Sequence, residues 1–86
     1  MKALKTDKAP AAIGPYSQAI EVNGFVFASG QIPLNPATGE FVEGGIKEQT
    51  RQALNNAREI LRSAGLDLSN VVKTSVMLAD IKYFGE

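Results

Sequence analysis

At 86 residues the chain holds one domain at most, and one this short buries only roughly 60–65% of its unfolded surface. Nine basic residues balance nine acidic ones, which argues against nucleic acid as the main partner, because non-specific binding rests on excess basic charge. The lack of Cys and His removes disulfides, zinc clusters and thiol or imidazole catalysis, so no metal and no cofactor are expected and self-association is the remaining common support for a small core.

No apolar run approaches ~18 residues, so no membrane partner is expected. Residues 1–8 lack the apolar centre of a signal peptide, and the cytoplasm is the expected location. Ala3–Thr6 reads as a short edge strand, and the segment from Ala9 to Tyr16, with two prolines and a glycine, as a surface crossing. Ser17–Val22 and Phe25–Ala28 are strand-like runs separated by Asn23-Gly24. That dipeptide tolerates the positive φ of a type I′ turn, so the spacing predicts a hairpin.

Ser29-Gly30 closes the second strand, and Pro33 to Gly39 forms a turn region with Phe41-Val42 as a brief returning strand. From Ile46 the apolar or small positions 46, 50, 53, 54, 57, 60, 61 and 64 make one stripe, predicting a helix with one wet face that Gly65 ends. Val71–Ala79 reads as a strand with both sides partly apolar, fit for the middle of a sheet or a subunit interface. Asp80 would cap a further helix through Ile81–Phe84, and the chain looks cut short at Glu86.

The chemistry concentrates at one corner. Gly30 has no Cβ to shield the backbone amides, and Ser29 brings a hydroxyl, so a small carboxylate or oxyanion could rest there. Tyr16 could place a phenol over a cleft, although a tyrosine in such a loop is more often a packing residue. Lys73 in the expected strand reads as exposed or snorkelling, and Glu21 as a charge on a solvated face. From residue types alone this is an anion corner without a base.

The runs Ala12-Ile13-Gly14-Pro15-Tyr16-Ser17-Gln18-Ala19 and Ala28-Ser29-Gly30-Gln31-Ile32-Pro33-Leu34-Asn35-Pro36-Ala37-Thr38-Gly39 resemble the RidA (YjgF) family. Gln52-Ala53-Leu54-Asn55-Asn56 and Val71-Val72-Lys73-Thr74-Ser75-Val76 through Asp80 follow in the same order. The resemblance implies a chorismate-mutase-like α+β fold with helices on one face of the sheet. Residues 1–86 would be a single domain lacking its last helix and two strands. It also implies a homotrimer, sheets inward, with clefts at the subunit interfaces.

The implied activity is hydrolysis of 2-iminopropanoate and 2-iminobutanoate to 2-oxo acids and ammonia, so a small 2-imino or 2-oxo acid is the expected ligand. By the family's motifs Tyr16 and Ser29 would be the catalytic positions, with Gly30, Gln31 and Ile32 binding substrate at its carboxylate. The family's carboxylate-gripping arginine and water-activating glutamate belong to the later strands, outside these 86 residues. The alternative implied by divergent relatives is a non-catalytic, trimeric small-molecule-binding or holdase-like protein. A ribonuclease or translation-inhibitor role, also attached to the family, is the least attractive for a neutral chain without histidine.

Overall fold

The computed structural model describes residues 1–12, 16–76, 78, 82 and 85. Three antiparallel strands, β1 (Lys2–Leu4), β2 (Ala19–Val22) and β3 (Phe25–Ala28), form a sheet in the order β1-β2-β3. The hairpin arises as the turn chemistry requires. Asn23 and Gly24 sit at φ 51° and 82°, and Val22 pairs with Phe25. The edge strand falls one residue earlier than expected, pairing Leu4 with Ala19, and Lys5 and Thr6 leave the ladder. Thr6 turns instead toward the side chain of Gln18, which competes for its backbone groups.

Helix α1 (Ile46–Arg62) packs on one face of this sheet. Gly45 has no side chain with which to cap, so the Glu48 carboxylate reaches back and accepts its N–H at 2.9 Å. At the other end Gly65 (φ 79°) donates to Arg62 O at 3.0 Å and Leu66 to Leu61 O at 2.9 Å, the paired bonds of a glycine-terminated helix. A 3-10 turn, Leu68–Asn70, follows. The core is small: Leu4, Ala9, Ala19 and Ile60 are buried together, with Val26 and Ala64 packed against them.

The apolar stripe of α1 is narrower than its spacing suggests. Ile60 and Leu61 are buried, whereas Leu54 and Thr50 are exposed. Asn56, a polar residue, is buried in their stead. The opposite face of the sheet is open, with Phe25 and Phe27 exposed and their rings 6.4 Å apart.

The strand expected over Val71–Ala79 does not form where the structure describes it. Val71 is extended (φ −75°, ψ 130°), but residues 71–76 join no ladder, and Val72 is 94% exposed. Alternating apolar residues make a strand only when a neighbouring edge takes up their N–H and C=O groups. Among the described residues neither free edge of the β1-β2-β3 sheet pairs with this segment. The Asp80 cap and the helix beyond it fall on Asp80, Ile81, Tyr83 and Phe84, outside the described residues. Among the described residues no helix is long and apolar enough to cross a membrane, and no cluster of acidic side chains could hold a metal ion.

Candidate functional site

The Ser29 corner is built as an extension of the hairpin. One step beyond the Ala19–Ala28 pair, the Ser29 amide donates to Gln18 O at 3.0 Å, and its hydroxyl donates to Ser17 O at 2.5 Å. A serine hydroxyl has a single proton, so Ser29 Oγ faces any ligand as an acceptor. This alters the sequence-based expectation of a hydroxyl donor at the corner. The amides of Gly30 and Gln31 donate to no described residue, and a Cβ at Gly30 would meet nothing within 4 Å. Two adjacent N–H groups are thus without a described partner, beside a backbone that carries no Cβ.

The chain that follows is held on both sides. Gln31 Nε2 donates to Ser29 O at 3.1 Å, and Leu34 N to Ile32 O at 2.8 Å across Pro33. Residues 33–42 close on themselves through Val42 N to Pro33 O (3.0 Å), Asn35 N to Glu40 O (2.8 Å) and the Leu34–Phe41 bridge. Phe41 is therefore the returning residue expected, as a single bridge and not a strand. Inside this loop Asn35 Oδ1 accepts from Ala37 N at 2.8 Å, and Gly39 turns at φ 73°. The apolar side chain of Ile32 is left 52% exposed.

Tyr16 stands on the other flank, 53% exposed and next to the Ser17 whose carbonyl holds the Ser29 hydroxyl. It lines an open cleft of about 450 Å³ together with Lys5, Thr6, Ser17, Gln18 and Pro36. Ser29, Gly30, Gln31 and Ile32 do not line that cleft. The structure therefore brings Ser29 to Ile32 together as one edge, with Tyr16 beside it and over a separate hollow.

Two residues that the sequence reading passed over hold this arrangement in place. Gln18, 4% exposed, accepts from Thr6 N at 2.7 Å and donates through Nε2 to Pro10 O (2.7 Å), Thr6 O (3.1 Å) and Ala9 O (3.4 Å). Asn56, 1% exposed, donates to Ile32 O at 3.0 Å and Leu34 O at 2.9 Å. A signal for Asn56 was present: it lies three residues after Ala53 and four before Ile60, on the buried stripe, where a polar side chain needs a partner.

The charged groups gather elsewhere, at the end of α1. Asp67 accepts from Arg58 Nε at 2.9 Å and from Leu68 N at 2.7 Å, with Arg62 Nε at 3.5 Å. The Arg58 hydrogen bond first, then the Leu68 N–H and the two guanidinium charges, hold its carboxyl below the usual range.

With this geometry the comparisons become specific. The family model described as Endoribonuclease L-PSP matches residues 6–86. A mouse protein named 2-iminobutanoate/2-iminopropanoate deaminase is 55% identical over 84 residues, 98% of this chain and 62% of its own length. The chain belongs to this family, the RidA (YjgF) family.

Its fold follows suit. A Thermotoga maritima structure superposes with a TM-score of 0.95 at 48% identity, covering 99% of this chain and 67% of that one. E. coli TdcF, solved with bound serine, gives 0.93 at 39% identity, with 99% and 66% covered. The RidA-like α+β assignment is thereby met. The chain spans about three-fifths of the mouse relative it matches.

Proposed function

We propose that the protein is an imine deaminase that hydrolyses 2-iminopropanoate and 2-iminobutanoate to the 2-oxo acids and ammonia. The observation that carries this reading is the mouse relative of that name, which matches 98% of the chain at 55% identity and so spans the whole Tyr16–Ile32 corner. The open amides of Gly30 and Gln31 receive the substrate carboxylate, and exposed Ile32 borders its short alkyl chain. Ser29 Oγ, its own proton given to Ser17 O, accepts from the protonated imine nitrogen. Water adds to the imine carbon, a proton passes to nitrogen, and the resulting carbinolamine loses ammonia to leave the carbonyl. Tyr16 flanks the site.

The family's arginine and glutamate, outside these 86 residues, would grip the carboxylate bidentately and activate the water. A homotrimer completes the cleft, with the exposed Phe25–Phe27 face of the sheet turned inward, and the cytoplasm is its proposed location. The test couples the intact gene product to a threonine dehydratase and follows 2-oxobutanoate. Faster release than the dehydratase gives alone is expected, and no acceleration discards the reading. Serine bound to E. coli TdcF favours the second reading, a small-molecule-binding protein without catalysis. That one stands if the ligand binds but release is unchanged.

A further inference from the structure

We propose that Asn56 is a positioning residue for the substrate edge, holding the 29–34 backbone and with it the Gly30 and Gln31 amides in place for the anion. This rests on the deaminase reading for the identity of the anion, a 2-imino or 2-oxo carboxylate, but the geometry stands by itself. Loop 33–42 is closed by its own backbone bonds, so it can move as a unit. Among the described residues, the only hydrogen bonds joining α1 to residues 29–42 are the two that Asn56 Nδ2 donates, to Ile32 O and Leu34 O. They span 24 and 22 residues of sequence and land on both sides of Pro33, so together they set the position and the tilt of this stretch.

The amide orientation of Asn56 is itself fixed. Gln52 Nε2 donates to Asn56 Oδ1 at 2.8 Å, which identifies Oδ1 as the acceptor and turns both Nδ2 hydrogens toward the loop. All three polar positions of a side chain 99% removed from solvent are thereby used. The amides of Gly30 and Gln31, two residues and one residue before Ile32, have no described tie of their own. The helix thus determines where the anion-binding edge sits, and Asn56 is the connection.

The test uses the intact gene product with Asn56→Asp, which keeps the shape but replaces the donor, and with Gln52→Met, a milder change on a half-exposed surface that folds even if the first does not. Ile60→Val is a core control that touches neither the loop nor its bonds. Two readouts are taken: the backbone amide signals of Gly30 and Gln31 by NMR, and the Kd of 2-oxobutanoate by titration. Displaced Gly30 and Gln31 signals in both variants are expected, with Kd weakened on the order of tenfold or more for Asn56→Asp and less for Gln52→Met. Ile60→Val should leave both readouts at the wild-type values.

Gly30 and Gln31 signals that stay put in Gln52→Met and in any folded Asn56→Asp would overturn the proposal. So would equal changes in Ile60→Val, which would mark a general loss of stability. If the wild-type protein neither binds 2-oxobutanoate nor speeds its release, the deaminase reading fails, while the amide signals still decide the role of Asn56.

Discussion

Replacing Gln18 by Leu removes four hydrogen bonds from a side chain that is almost fully buried while leaving its bulk nearly unchanged. An amide nitrogen has two hydrogens, so of the three carbonyls around Nε2 only Pro10 O and Thr6 O, at 2.7 and 3.1 Å, receive full bonds, and Ala9 O at 3.4 Å shares one. With the 2.7 Å bond from Thr6 N, three full interactions are lost, each worth about 1 kcal/mol net. Water can reach half-buried Thr6 and Pro10 and replace part of this, so we expect Gln18→Leu to cost roughly 2–3 kcal/mol.

Urea unfolding followed by circular dichroism measures it, and hydrogen exchange should show the Thr6 amide losing its protection first. Gln18→Glu adds a sign test. The new carboxyl sets an oxygen against the three carbonyls, which raises its folded pKa above the ordinary value of about 4.3. The protonated form is therefore the better one in the folded state. Gln18→Glu should lie closest to wild type below that ordinary value and lose stability as pH rises through the raised one. A cost for Gln18→Leu under about 0.5 kcal/mol at an unchanged m value would refute the clamp, since a change that small is typical of surface sites.

Further outcomes follow from single contacts. Asp67 has a depressed folded pKa, so its stabilisation is complete above the ordinary carboxylate range and is lost as pH falls through and below it. The stability difference between wild type and Asp67→Asn, measured by urea titration at several pH values, should therefore shrink in acid and not at neutral pH. Gly24→Ala places a Cβ at φ 82°, where the turn has free space but the backbone does not favour it, and thermal unfolding should show a loss of about 1 kcal/mol. In Gly44→Ala the added Cβ would lie 2.7 Å from Glu48 Cγ, displacing the carboxylate that accepts the Gly45 N–H. Early exchange of the Gly45 amide, with roughly 0.5–2 kcal/mol lost, is the expected result. Ile60→Ala empties the centre of the Leu4–Ala9–Ala19 cluster and should cost about 2–5 kcal/mol in the same denaturation assay.

What could be read from the sequence was what neighbouring residues decide among themselves. Asn23-Gly24 fixed its turn because both φ values are local properties, and Gly65 ended α1 because only the adjacent turn of helix was involved. The bare backbone beside Ser29 was legible for the same reason, since Ser29 and Gly30 are adjacent and a missing Cβ can be seen without a fold. The direction of the Ser29 hydroxyl was not legible, because its acceptor, Ser17 O, lies 12 residues away across the hairpin.

The misreadings share that cause. Alternation marked 71–79 as a strand, yet alternation describes only what a segment could bury, and a strand needs an edge supplied from elsewhere in the fold. Thr50 and Leu54 were counted into the stripe by spacing, while the sheet beneath α1 has three strands among the described residues and leaves both side chains exposed. Asn56 shows the reverse case. Residue type counted against it as a core position, and it is buried because its amide has partners at Ile32 O, which also accepts from Leu34 N, and at Leu34 O. Burial of a polar side chain is tolerable only with its partners in place, so Asn56 and the 29–34 edge require each other. The helix and the loop look separate when each is taken alone; the bonds at 3.0 and 2.9 Å join them into one structural unit.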